Sequence, residues 1–121
     1  MLILDSNILI YAAQPQFKFL LPLVMDSANA VSIVTTIETL GFQKLTPHDR
    51  LWLESAFKIL QVLDLTLEIS HKAIKIKQLR KFTLGDAIIA ATAIVHDAEL
   101  KTRNVDDFRH VIGLHFSNPI P

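Results

Sequence analysis

The feature that most constrains this chain lies at its start. Met1-Leu2-Ile3-Leu4 is an unbroken apolar run that stops at Asp5-Ser6-Asn7, and a second apolar stretch, Ile8-Leu9-Ile10-Tyr11-Ala12-Ala13, follows at once. Apolar residues in a row, without alternation, suit a strand buried on both faces, as in a parallel sheet. The second stretch reads as a helix opening at Ser6 or Asn7, whose side chains accept hydrogen bonds from the free N–H groups of a first turn. In open α/β sheets ligands bind beyond the C-terminal ends of the strands. Asp5 therefore stands where a site belongs. The plainer alternative is that Asp5 only caps the helix.

The rest of the chain repeats the strand–helix alternation. A helix is expected over 20–28, with Pro22 in its first turn. The β-branched run 30–35 reads as a second strand, followed by a helix capped by Thr35 or Thr36 with Glu38 in its first turn. Thr46-Pro47-His48-Asp49 opens a helix that runs to about Leu60, with a core face at Leu53, Ala56, Phe57 and Leu60 and with Trp52 and Ile59 at its edge as candidate interface residues. A third strand over 61–65 leads to a basic helix over 67–81 that carries Lys72, Lys75, Lys77, Arg80 and Lys81. Such a charge run is either a solvated face or a phosphate-contacting rim. Thr83 caps the next helix, and after Asp86 its stretch Ala87-Ile88-Ile89-Ala90-Ala91-Thr92-Ala93-Ile94 holds no charge, which predicts burial nearly all round. A short strand over 99–102, the loop Arg103-Asn104-Val105-Asp106-Asp107-Phe108 and a last strand over 114–116 complete the chain. This pattern predicts a single α/β domain over 1–121, a three-layer α/β/α sandwich on a mostly parallel sheet of four to five strands.

Composition narrows the function classes. The 121 residues are 50% hydrophobic, yet no apolar run approaches the roughly 20 residues that span a bilayer. With Met1 leading straight into the first strand, no signal peptide is expected, and the absence of cysteine fits a cytoplasmic protein and excludes thiolate chemistry. Twelve basic residues balance twelve acidic ones, which argues against nonspecific coating of nucleic acid but leaves room for a basic patch beside an acidic pocket. None of the five histidines forms a metal-ligand pair by spacing, and Walker, Gly-x-Gly-x-x-Gly and Gly-x-Ser-x-Gly motifs are absent. A haloacid-dehalogenase phosphatase would place a second Asp where Asn7 stands.

The acids form a set. Asp5 and Glu38 follow predicted strands, Asp86 begins the buried helix, and Asp106 or Asp107 follows a further strand. In a parallel sheet these positions share one edge, where carboxylates repel and lose hydration. A divalent cation compensates both costs, and oxygen-only ligands suit Mg²⁺ or Mn²⁺ rather than zinc. Such a centre can align a phosphodiester and activate water.

The stretches Leu4-Asp5-Ser6-Asn7-Ile8-Leu9-Ile10, Thr35-Thr36-Ile37-Glu38, Gly85-Asp86-Ala87-Ile88-Ile89-Ala90-Ala91-Thr92-Ala93 and Lys101-Thr102-Arg103-Asn104-Val105-Asp106-Asp107-Phe108 together resemble the PIN-domain family, and in particular the VapC-type toxins of bacterial toxin–antitoxin pairs. The resemblance implies a Mg²⁺- or Mn²⁺-dependent endoribonuclease, usually a homodimer, held inactive by a cognate antitoxin protein. It assigns Asp5, Glu38 and Asp86 as catalytic metal ligands, with Asp107 or Asn104 supplying the fourth, and Asn7 and Thr102 as supporting polar residues. Arg80, Lys81 and Arg103 are the candidate RNA contacts. The alternative is a catalytically weak PIN-like binding or regulatory module that acts through a protein partner.

Overall fold

Leu2–Leu4 forms β1, the middle strand of a five-stranded sheet. The structure is a computed structural model and describes residues 1–121. In chain order the elements are β1, α1 (Ser6–Ala12), a 3-10 segment (Pro15–Leu20), α2 (Leu21–Val24), β2 (Ala30–Ser32), α3 (Ile33–Leu40), α4 (Pro47–Ile59), β3 (Gln61–Leu63), α5 (Leu67–Leu79), α6 (Leu84–Val95), β4 (Glu99–Lys101), α7 (Val105–Phe108) and β5 (Phe116–Ser117). The sheet order is β3-β2-β1-β4-β5, and every pairing is parallel. Ile3 faces Leu100 in the register of β1 on β4.

Side-chain alternation along these short strands builds a core on each face. Ile3, Ala30 and Leu100 turn to one side and pack with Ile69 and Ile76 of α5, Ile89 of α6 and Phe108 of α7. Leu4 and Val31 turn to the other and meet Ile8 and Leu9 of α1, Val24 of α2 and Leu53 of α4. Two helical layers thus enclose the sheet. The chain is the three-layer α/β/α sandwich on a parallel sheet that the strand–helix alternation predicts. Residues from Ala87 to Ala93 of α6 are all buried, as the absence of charge predicts. No helix is long and apolar enough to cross a membrane.

Several boundaries differ from the sequence reading. The second strand stops at Ser32, whose Oγ accepts the Val34 N–H at 3.1 Å and caps α3. Thr35 and Thr36 therefore lie inside the helix, and Glu38 is in its second turn rather than its first. The helix expected over 20–28 ends at Val24, where Asp26 takes the Ala28 N–H at 2.9 Å and holds a turn instead. The basic helix ends at Leu79, because Arg80 is extended and Lys77 Nζ donates to the Phe82 carbonyl at 2.9 Å. The last strand falls on Phe116–Ser117.

Candidate active site

β1 and β4 are neighbours, and the chain leaves their seam in opposite directions, to β2 and β3 on one side and to β5 on the other. Such a reversal opens a crevice beyond the strand ends. Asp5 directly follows β1 and Thr102 directly follows β4. Thr102 Oγ1 donates to Asp5 Oδ2 at 2.8 Å, and Asn7 Nδ2 donates to the same oxygen at 3.3 Å. The Ser6 N–H reaches Asp5 Oδ1 at 2.8 Å, so Asp5, not Ser6 or Asn7, caps α1. A carboxylate does the capping because it is the acceptor nearest the first free N–H. Asp5 thus serves both as a cap and as the buried acid of the crevice. The network extends into the following loop: Asn7 Oδ1 accepts the Arg103 N–H at 3.1 Å, and Thr102 Oγ1 accepts the Asn104 N–H at 3.0 Å.

Asp5, Glu38, Asp86, Asn7 and Asn104 line one cleft of about 750 Å³. Thr83 caps α6 by accepting the Asp86 N–H at 3.1 Å, which fixes Asp86 in the first turn of a buried helix. Gly85 brings α3 and α6 together. A Cβ built on it would stand 2.6 Å from Glu38 Oε2, so the Glu38 carboxylate is seated on a position that only glycine leaves free. Burial, and next the charge of Asp5, push the carboxyl groups of Glu38 and Asp86 above their ordinary range; Asp107 and Glu38 raise Asp86 further. Asp5 is pushed up chiefly by its own burial, against hydrogen bonds from Thr102, Ser6 and Asn7 that favour its charge. Asp107 is exposed on α7, close enough for its charge to act on both Asp5 and Asp86.

No basic side chain neutralises these acids. The ion pairs of the molecule are Lys101–Glu99 at 2.6 Å and Arg109–Asp106 at 2.6 Å, neither of which involves Asp5, Glu38, Asp86 or Asp107. The carboxylates face a common space without closing on one point: no three of them stand in an arrangement that could hold a metal ion unchanged. As a donor set they are all oxygen, anionic and partly dehydrated, which fits a hard divalent cation.

Of the remaining sequence candidates, Arg80 and Lys81 line an adjoining hollow with Asp86 and Asp107. The Arg103 guanidinium lies over the Tyr11 ring at 4.6 Å, an arrangement that favours a cation. Asp106 is solvent-facing and engaged with Arg109. Trp52 is half-buried: its indole N–H donates to the Leu9 carbonyl at 2.9 Å and its ring packs partly on its own core. It forms a wall of the cleft with Phe42 and His48, which the sequence reading missed. These residues come from α4 and the loop before it, and no local pattern ties them to Asp5. Gly85 did carry a signal: a glycine in the first turn of an otherwise alanine- and isoleucine-rich helix marks a close approach.

An acid-lined crevice at the switch point of a parallel five-stranded sheet defines a class of protein. Residues 2–114 match the PIN domain, and the chain belongs to the PIN-domain family. It is similar to a chain of a toxin–antitoxin complex from Klebsiella pneumoniae, at 31% identity and TM-score 0.75, with 94% of this chain and 95% of that one covered. The fold is shared with VapBC-1 from nontypeable Haemophilus influenzae (24% identity, TM-score 0.76, 96% of each chain). It is shared too with DNA-bound VapBC from Salmonella typhimurium (21% identity, TM-score 0.79, 98% of each chain). No curated protein matches the sequence.

Proposed function

We propose that this protein is a divalent-cation-dependent endoribonuclease that hydrolyses RNA phosphodiester bonds, and that it is the VapC-type toxin of a type II toxin–antitoxin pair. The observation that carries the reading is the meeting of Asp5, Glu38 and Asp86 in one cleft with no basic side chain to neutralise them. Asp5, Glu38, Asp86 and Asp107, with the side-chain oxygen of Asn104, are the groups that would hold Mg²⁺ or Mn²⁺. A bound ion of this kind polarises a phosphodiester and lowers the pKa of a water. Thr102 and Asn7 hold Asp5 in one orientation by donating to its buried oxygen. Arg80 and Lys81 offer cations to the strand beside the acids.

The neighbouring structures from Klebsiella, Haemophilus and Salmonella are toxin–antitoxin assemblies, which supports a cognate antitoxin as partner here. Large apolar side chains left well exposed, Leu51 at 67% and Leu67 at 73% among them, supply surface for an antitoxin and for a homodimer in the cytoplasm. The open arrangement of the carboxylates favours one alternative, a catalytically weak PIN-like module that acts through its protein partner.

RNA cleavage by the purified protein decides between them. Activity with Mn²⁺ that EDTA removes, and that Asp86→Asn abolishes in a folded protein, is the expected result. No cleavage by the wild-type chain with either metal would leave the binding module.

A further inference from the structure

The acidic cleft does not end at Asp86. Asp86 also lines the hollow that holds Arg80, Lys81 and Asp107, and Arg80 and Phe82 in turn line a groove of about 400 Å³ against α5. The three depressions therefore join edge to edge. Lys72 and Lys75 line the last groove together with Arg80 and His110, and no Asp or Glu lines it. In a chain whose acids and bases balance, this is a local excess of positive charge. Lys72, Lys75, Ile76 and Leu79 follow helical 3–4 spacing, so the lysines stand one turn apart on one face of α5. Lys77 holds the Phe82 carbonyl at 2.9 Å and so fixes the segment that joins the groove to the hollow. The Phe82 ring packs partly on the core and partly lines both depressions.

We infer that this basic groove on α5 is the track for single-stranded RNA as it leaves the acidic cleft, with Lys72 and Lys75 pairing its phosphates and Phe82 offering an aromatic face to a base. The inference rests on the nuclease reading for its direction. A strand cannot lie along carboxylates without cations beside them, and the groove supplies those cations next to the acids. Charge and continuity with the cleft select a polyanion that must enter the cleft. An acidic segment of a protein partner would need no such continuity.

The test is binding of a fluorescent 20-nucleotide single-stranded RNA in EDTA, read by anisotropy over a salt series. Each phosphate contact with a single strand contributes about 0.7 to the slope of log affinity against log salt. Lys72→Ala and Lys75→Ala sit on the surface of a helix that alanine favours, so the double variant folds. It is expected to lower the slope by about 1.4 and to weaken binding several-fold at low salt. Lys58→Ala, exposed on α4 and away from the groove, should leave both unchanged. An unaltered slope in the double variant, in a wild-type protein that binds RNA, overturns the track, as does a wild-type protein that binds no RNA. A double variant that loses its protein partner but keeps its RNA slope also overturns it, in favour of a partner site. Wild-type protein that binds the RNA with the expected slope but never cleaves it with Mn²⁺ sinks the nuclease reading and leaves the track standing.

Discussion

At the scale of single residues, the site is a balance between hydrogen bonds that favour charge on Asp5 and burial that opposes it. Asp107 and Asp106 illustrate how fine the placement is. Asp107 acts electrostatically on Asp5 and Asp86, whereas Asp106 is tied to Arg109 in solvent. Asp107→Ala should slow RNA cleavage by an order of magnitude or more, and Asp106→Ala should leave it unchanged; equal rates in the two would place the acid register wrongly. Gly85 offers a sharper probe. Ala is the better helix former at this first-turn position, and the Cβ displaces only the mobile end of Glu38. Gly85→Ala should therefore melt no lower than wild type while losing most cleavage. A normal rate would show that the seat of Glu38 on Gly85 is unimportant.

At the scale of elements, what the sequence made legible was whatever depended on local pattern. The capping of α6 by Thr83 and its burial follow from an uncharged, alanine-rich run, and the anchoring of α7 by Phe108 follows from one aromatic next to an acidic pair. What was not legible depended on competition between neighbouring caps. Ile33, Val34 and Thr35 have the side chains of a strand, but Ser32 offers the cap first and they become helical. The order of the strands, and with it the pairing of Asp5 with Thr102, is a tertiary fact that no local signal encodes. The early start of α3 has a consequence for Thr35, whose buried hydroxyl oxygen has no hydrogen-bond partner. A buried hydroxyl without one costs about 1–3 kcal/mol. Thr35→Val keeps the shape and removes the polar atom, so it should raise the melting temperature without altering the far-UV circular dichroism. A lower melting temperature would mean that the hydroxyl is satisfied by a group such as water.

At the scale of the whole molecule, the raised acids of the cleft set how stability responds to pH. Asp5, Glu38 and Asp86 have folded-state values raised above their ordinary 3.8, 4.5 and 3.8. For raised groups the folded state binds the proton more tightly, so their contribution to stability is full below the ordinary values. It is lost as pH rises through the raised ones. Glu99 runs the other way: hydrogen bonds from Lys101 and Ser117 hold it low, and its contribution falls away only as pH drops below the carboxylate range. That half-buried pair holds one acid low, against three acids raised in the cleft. The cation-free protein should thus be less stable at neutral pH than at mildly acid pH.

If these carboxylates form one cation site, thermal unfolding with Mn²⁺ at neutral pH will report it. A ligand that binds only the native state stabilises it by about 2.7 kcal/mol at a hundred times its dissociation constant. The melting temperature should climb with Mn²⁺ in protein freed of metal beforehand. Asp86→Asn should start higher, since one repelling charge is gone, and rise little further. A wild-type protein indifferent to millimolar Mn²⁺, or an Asp86→Asn variant that responds as strongly as wild type, would contradict it.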